Sequence, residues 1–310
     1  MKTIAFRRPK LGLSTQEEIA GWLFASPWIV GFLVFFLGPM VWSLFMAFTN
    51  YDLFSWRFTG LANLRRLLFF DNLVPHALVV TTKYALMSVP LHLVVGFFLA
   101  VLLNQRVKAL GIWRTIFYLP SVLSGVAIII LWMLILSPEF GLLNSVLLYL
   151  GIKGPNWLGS PQTALPSLVM ISLWGVGSSM LIYLAGLQGI PSELYDAAKV
   201  DGANDLQRVL HVTIPMMSPV IFFNLVMGII GSLQTFDTAF IATHGGPAYS
   251  TYLYMLHLFT IAFEELKMGY ASMLAWILFI YIMLLTLLVF RFGAAWVFYE
   301  ETFKKEKRAR

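Results

Sequence analysis

Cysteine is absent from this 310-residue chain, which excludes disulfides, thiolate metal sites and cysteine nucleophiles together. Charge is scarce as well. Asp, Glu, Lys and Arg make up 12% of the residues, against about 25% in a typical soluble domain. The five histidines, at 76, 92, 211, 244 and 257, form no HxxxH or HExxH pair, so no metal or cofactor is expected. No Walker-type phosphate loop occurs, and no serine, histidine and acid fall at a hydrolase spacing, so the chain does not read as an enzyme. Apolar sequence is what remains. At 59% hydrophobic residues and a mean hydropathy of +0.80, the chain reads as an all-α, polytopic membrane protein embedded in a lipid bilayer.

Six apolar runs are long enough to cross a hydrocarbon core about 30 Å thick. Their expected limits are Leu23 to Phe48, His76 to Leu103, Thr115 to Leu136, Thr163 to Leu187, Pro219 to Ala242 and Tyr270 to Phe292. Pro39, Pro90 and Pro120 interrupt three of them as expected kinks. The first run is about 25 residues long and lacks a small-residue cleavage site, so it is expected to be a retained span and not a signal peptide. The net charge of +6 raises the question of nucleic acid, but the basic residues gather at the ends of spans and at the C-terminus. That distribution belongs to membrane topology, and no nucleic-acid partner is expected. With the N-terminus inside, fifteen Lys and Arg fall on the inner side and five on the outer, with Lys83 within span 2. Both termini are therefore expected in the cytoplasm. The organisation is a cytoplasmic segment over 1–22, a six-span domain over 23–292 and a basic cytoplasmic tail over 293–310.

Between spans 4 and 5 lies a polar cytoplasmic loop, 189–217. Glu193, Asp196, Asp201 and Asp205 are concentrated there beside only Lys199 and Arg208. Pro191 and Ser192 start a helix, Asp201-Gly202 stops it, and a second short helical run follows. Leu194, Ala197 and Ala198 share one face of the first helix, flat enough for close docking or for lying on a lipid surface.

Within the spans, Asp237 is the only acid. An intramembrane acid is costly and reads as a ligand, proton or ion-pair site, unless a vestibule solvates it at the span's outer end. Lys83 lies where its ammonium can snorkel to the outer interface. Span 4 holds Ser172, Trp174, Gly175, Gly177, Ser178 and Ser179. The small residues favour close helix packing, and the Trp174 indole either packs or stacks on a sugar ring. Three functions fit this much: the membrane subunit of a transporter driven by a separate ATPase, an ion-coupled secondary carrier, and a structural membrane protein. A carrier calls for paired intramembrane ionisable groups, and Asp237 has no evident partner in the spans.

One motif separates these readings. Asp196-Ala197-Ala198, three residues, Gly202, nine residues, then Val212-Thr213-Ile214-Pro215 resembles the EAA loop of ABC-importer permeases, EAA-x3-G-x9-I-x-L-P, with Asp, Val and Ile in place of Glu, Ile and Leu. PWIVGFLVFFLGPMVWSLFMAFTNYDL, WRTIFYLPSVLSGVAIIILWMLILSPEFGLLN and FDTAFIATHGGP are similar to permeases of the carbohydrate-uptake family that includes the maltose and glycerol-3-phosphate importers. The likeness is to the first of two unlike permeases. It implies the type I importer permease fold in a bacterial or archaeal cytoplasmic membrane, a second permease, a dimer of ATP-binding cassette ATPases and an extracytoplasmic sugar-binding protein. It further implies that Glu193, Asp196, Ala197, Ala198, Asp201, Gly202 and Pro215 couple to the ATPase. The substrate path is implied to run past Ser172, Trp174, Ser178, Gln234, Thr235 and Asp237.

Overall fold

A computed structural model describes residues 12–105, 108–293 and 296–298. The basic residues of the N-terminal segment, Arg106 and the tail beyond Phe298 lie outside the described residues. Helix is the only regular element among the described residues, apart from one isolated bridge between Thr49 and Phe58.

The first span is a 34-residue helix, Leu13–Met46, made of α1 (Leu13–Phe32), a π-helical turn at Leu33–Leu37 and α2 (Gly38–Met46). It begins at Leu13 and not at Leu23, because the polar run Ser14 to Ala20 continues the helix beyond the apolar stretch. No residue of α1 is buried. The span is tied down at its outer end, where α3 (Ala62–Phe69) presents Asn63. The Asn63 Nδ2 donates to the carbonyls of Ala47 and Thr49, each at 2.8 Å.

α4 (Leu73–Leu103) crosses without a break at Pro90 and is the spine of the fold. It packs against the helices of the fourth and fifth spans and against the short helix Tyr254–Phe259. The third run bends close to the kink expected at Pro120. α5 (Leu110–Val122) and α6 (Gly125–Ile135) meet at 100°. Pro120 lies within α5, and the extended Leu123 just after it ends the helix; the proline marks the place, and the run of apolar residues carries no signal for the size of the bend. After α7 (Leu142–Tyr149), the fourth run is also bent, by 49°, between α8 (Ala164–Leu173) and α9 (Gly177–Gln188). Among the described residues, four continuous helices are long and apolar enough to cross a membrane, and counting each bent pair as one span gives six.

The loop over 189–217 holds α10 (Ser192–Val200) and α11 (Asp205–Arg208). A π-helical turn at Val209–Thr213 then joins α11 to α12 (Ile214–Leu233). The fifth span therefore begins inside the loop, at Asp205, and ends at Leu233. Gln234 to Phe236 separate it from α13 (Asp237–Ala242), so the expected run from Pro219 to Ala242 is corrected at both ends. The polar Gln234 and Thr235 stop the span, while two prolines fail to delay it. The outer segment continues through α14 (Tyr254–Phe259) and a π-helical turn at Thr260–Glu264 to the last span, α15 (Met268–Gly293).

A polar cluster locks the end of the fold opposite the loop over 189–217. The Tyr270 hydroxyl donates to Asp71 Oδ2 at 2.8 Å, and His257 Nε2 faces the same oxygen at 3.3 Å. The Tyr252 hydroxyl lies 3.1 Å from His257 Nδ1, so a neutral ring that donates from Nε2 satisfies both contacts. The Arg66 guanidinium sits 4.4 Å from the Tyr270 ring centroid. Burial depresses the pKa of His257 and outweighs the pull of Asp71. Burial works to raise the Asp71 carboxyl, but the Tyr270 hydroxyl, the His257 ring and the Leu73 amide prevail and leave it lowered.

Both shifts act in one direction, because a depressed pKa means that the unfolded chain takes up protons first on acidification. Stability is then present above the ordinary value and is lost below it, under 6.5 for His257 and under 3.8 for Asp71. The melting temperature of the purified protein is predicted to fall between about pH 7 and about pH 5. His257→Gln should flatten that part of the profile and leave the further loss at lower pH, as read by tryptophan fluorescence.

Candidate functional site

Besides the cluster around Asp71 and His257, two places gather polar side chains. The first is a cavity of about 360 Å³ enclosed by α4, the bent fourth span and α12. It lies between one apolar cluster, containing Tyr84, Leu168 and Leu274, and a second containing Ala100, Met180 and Met217 on the side of the loop over 189–217. Ser88, on its wall, is the sixteenth of the thirty-one residues of α4, so the cavity lies at the middle of that helix.

The bend in span 4 shapes the cavity. At Gly177 an added Cβ would lie 2.5 Å from the Phe117 carbonyl oxygen and 2.9 Å from Tyr118 Cα, so only glycine lets α9 meet α5 this closely. At the same bend the Ser172 carbonyl receives His92 Nε2 at 3.0 Å, while His92 Nδ1 lies 2.8 Å from the Ser88 carbonyl. His92 thus ties α4 to the bend. The Tyr84 side chain interacts with the side chains of Ser172 and Thr235, joining span 4 to the end of span 5.

Of the expected path residues, Ser172, Ser178 and Thr235 line this cavity and Trp174, Gln234 and Asp237 do not. Trp174 packs edge to face on Trp132, with ring centroids 5.3 Å apart. Gln234 is exposed at the end of α12, and Asp237 is exposed in the first turn of α13, so it is not enclosed within a span of this chain. Lys83 is exposed on α4, on the side away from the cavity. Tyr84, Ser88, His92 and Asn224 belong to the wall and were missed in reading the sequence. A signal existed, since Tyr84, Ser88 and His92 recur every four residues along one face of an otherwise apolar helix.

The second place is the loop over 189–217, where the expected helix, elbow and helix are present. α10 ends in a Schellman motif, in which the Ala203 amide donates to the Ala198 carbonyl at 2.9 Å and the Gly202 amide to the Lys199 carbonyl at 3.0 Å. Gly202 has φ of +78°, a left-handed conformation that favours glycine. The next helix starts on a capping box. Asn204 Oδ1 accepts from the Gln207 amide and Gln207 Oε1 from the Asn204 amide, both at 2.8 Å.

Glu193, Asp196, Ala197, Asp201 and Gly202 are exposed, and Ala198 is half-buried beside a cleft of about 260 Å³ that also includes Gln207 and His211. The face expected to be uniformly flat is therefore divided, because Tyr195 turns inward and its hydroxyl meets Thr213 Oγ1 at 3.1 Å. Asp196 pairs with Lys199 at 3.0 Å on the exposed surface. Pro215 sits in the first turn of α12, after the π-helical turn, and does not break the helix. The Pro215 carbonyl, which loses its helical donor at Pro219, accepts instead from the Ser218 hydroxyl at 2.7 Å.

Residues 92–297 match the family described as binding-protein-dependent transport system inner membrane component. The chain belongs to this family. Among curated relatives, the "Probable ABC transporter permease protein YesP" of Bacillus subtilis is 44% identical over 290 residues, covering 92% of this chain and 94% of the relative. The "Lactose transport system permease protein LacF" of Rhizobium radiobacter is 34% identical, covering 90% and 95%. Among solved structures, a chain of a bacterial ABC transporter involved in the import of the acidic polysaccharide alginate superposes with a TM-score of 0.79 at 22% identity. That match covers 92% of this chain and 99% of the other. At that identity the likeness is one of fold.

In an inner-membrane transport component, the stiffness of the cytoplasmic elbow is a property that can be measured. Asn204→Ala removes the capping box, and Gly202→Ala forces a left-handed alanine. Each should cost about 1 kcal/mol locally. Amide exchange of the α11 residues in Asn204→Ala, and of the last turn of α10 in Gly202→Ala, should quicken by about fivefold, with the rest of the chain unchanged.

Proposed function

We propose that this chain is a permease subunit of an ATP-driven sugar importer, coupled to a separate ATPase through the loop over 189–217. The observation that carries this reading is mechanical. An exposed helix bearing Glu193, Asp196, Ala197 and Asp201 is capped by a glycine elbow and a capping box, and it leads into a helix that runs unbroken from Asp205 to Leu233. A push on α10 is thereby delivered to the wall of the mid-membrane cavity, to which the same helix contributes Asn224, Gly228 and Ser232. Coupling requires this kind of connection, because a nucleotide-driven movement below can bias a binding site above only through an element shared by both.

Sugar is supported by the printed names of relatives, among them the lactose permease of Rhizobium radiobacter and the "Trehalose/maltose transport system permease protein MalF" of Thermococcus litoralis. The cavity wall supports it too, being apolar surface set with hydroxyls and an amide. The assembly consists of this chain, a second permease, an ATPase dimer and an extracytoplasmic binding protein, in the cytoplasmic membrane with both termini inside. Ser172, Ser178 and Thr235 face the path directly. Trp174, Gln234 and Asp237, exposed in the single chain, reach it at the boundary with the second permease.

Ion-coupled transport is the contrasting mechanism, and one experiment separates the two. Gly202→Pro and Ala198→Glu are predicted to insert normally and to lose uptake by more than tenfold, with the ATPase no longer co-purifying. Asp237→Asn is predicted to lower sugar-stimulated ATP hydrolysis without creating a pH dependence of uptake. Full uptake in Gly202→Pro, or transport in ATP-free vesicles driven by a pH gradient, overturns the proposal.

A further inference from the structure

The chain joins α10 to the long helix Asp205–Leu233 at one point, the elbow at Gly202. A rod attached at one end can swing about that end, so a load on α10 would bend the elbow and leave the long helix where it is. Delivery of a movement needs a second attachment, set away from the first.

The ion pairs of the loop do not supply one. Asp196 pairs with Lys199 inside α10, and Asp205 with Arg208 inside α11. α10 has no buried residue, and only Tyr195 and Ala198 on it are half-buried. The helix packs on the π-helical turn at Val209–Thr213, whose one buried residue is Thr213, 4% exposed. The Tyr195 hydroxyl lies 3.1 Å from Thr213 Oγ1, and among the described residues this is the side-chain hydrogen bond that joins α10 to the long helix. The Thr213 hydroxyl in turn donates to the Arg208 carbonyl at 3.4 Å, so its oxygen is left to accept and the Tyr195 hydroxyl donates to it.

Position and residue type both suit a strut. Tyr195 stands about 10 Å from the elbow along the helix axis, far enough for one contact to fix an angle. An aromatic ring has few torsions to immobilise and holds that angle at less entropic cost than a lysine or glutamate would. The same side chain lines a cleft of about 160 Å³ with Asn104 and Gln105 at the end of α4 and with Leu187 in α9. A phenylalanine would fill that space equally well, and the hydroxyl has its use only through Thr213.

We propose that Tyr195 is the positioning residue that makes α10 and the long helix one rigid body, its hydrogen bond to Thr213 fixing the angle that the Gly202 elbow alone leaves free. The effect on transport rests on the importer reading above, and the rigidity itself does not.

Rigidity is tested on the full chain, which contains no cysteine, purified in lipid nanodiscs. Nitroxide labels at Ser192→Cys and Leu210→Cys, both exposed positions, read the distance between α10 and the π-helical turn. Tyr195→Phe and Thr213→Val should each broaden the distance distribution, the displaced population rising by about fivefold, and Thr213→Ser should keep it narrow. Distributions alike in the parent and all three variants overturn the strut. In the importer assembled with its own partner subunits, Tyr195→Phe should leave the ATPase bound at normal yield and reduce the sugar imported per ATP hydrolysed by about three- to tenfold, with Thr213→Ser within about twofold of the parent. An unchanged ratio in Tyr195→Phe, or loss of the ATPase from its complex, overturns the positioning role and leaves the importer reading intact. Sugar uptake by the parent that is independent of ATP overturns the importer reading instead, and the label distances still decide the strut.

Discussion

The continuity of the helix from Asp205 to Leu233 is the constraint on which the rest of the molecule depends. Two prolines stand in its first half, and either could have ended it, since each removes a backbone donor and crowds a carbonyl one turn earlier. The π-helical turn at Val209–Thr213 widens the ladder ahead of Pro215. The Ser218 hydroxyl replaces the donor missing at Pro219. Both repairs are local, and together they turn a loop segment and a span into one lever. Without them the loop over 189–217 and the cavity would be joined by a flexible connection instead of one continuous helix.

α4 supplies the fixed side against which that lever works. It is unbroken, it sits at the centre of the helix packing, and its close approach to α9 is made possible by Gly96, where an added Cβ would lie 2.8 Å from the Ser179 hydroxyl. The polar groups along its buried face are held where they are needed. Thr81 reaches the Tyr254 amide at 2.8 Å, and His92 reaches the bend of span 4. In a membrane interior each such contact satisfies a group that lipid cannot. The bends in spans 3 and 4 then give the fourth span two segments that need not move together, with His92 bridging to one and Gly177 packing against α5 in the other.

Much of this was legible in the residues. Apolar run lengths located the spans, and the Asp201-Gly202 pair located the elbow because the left-handed backbone at that point favours glycine. The EAA spacing pointed to the family before any geometry was known. Pro120 marks the bend of the third run as a kink, but its size, and the bend of the fourth run, are hidden for a physical reason: hydropathy reports where a segment lies, and a segment stays in lipid whether straight or turned by 100°. The end of span 5 was misplaced because Phe236 and the apolar residues of α13 continue the hydrophobic count past a break in the backbone. Asp237 was given an intramembrane setting on that count, and the break moves it to an exposed first turn. The wall residues of α4 were overlooked because a serine and a histidine in a long apolar run invite no special reading one at a time. Their common face becomes evident only when spacing is tested along the whole helix.

The first span shows why this chain is built as part of something larger. Its apolar window from Leu13 to Met46 has no buried residues, and only its outer end is fastened, through Asn63 and the contact of α2 with α15. Lipid accepts such a surface without penalty, so the exposure is stable in a bilayer. It is nonetheless an expensive way to use 34 residues if anchoring were the only purpose, since α15 alone already anchors the C-terminal half with 26. A long helix held at one end and free along its length can lie across a neighbouring subunit without straining the core. The second span and the cavity wall remain inside this chain, whereas the first span leaves its apolar length exposed, so the packing of the core does not depend on it.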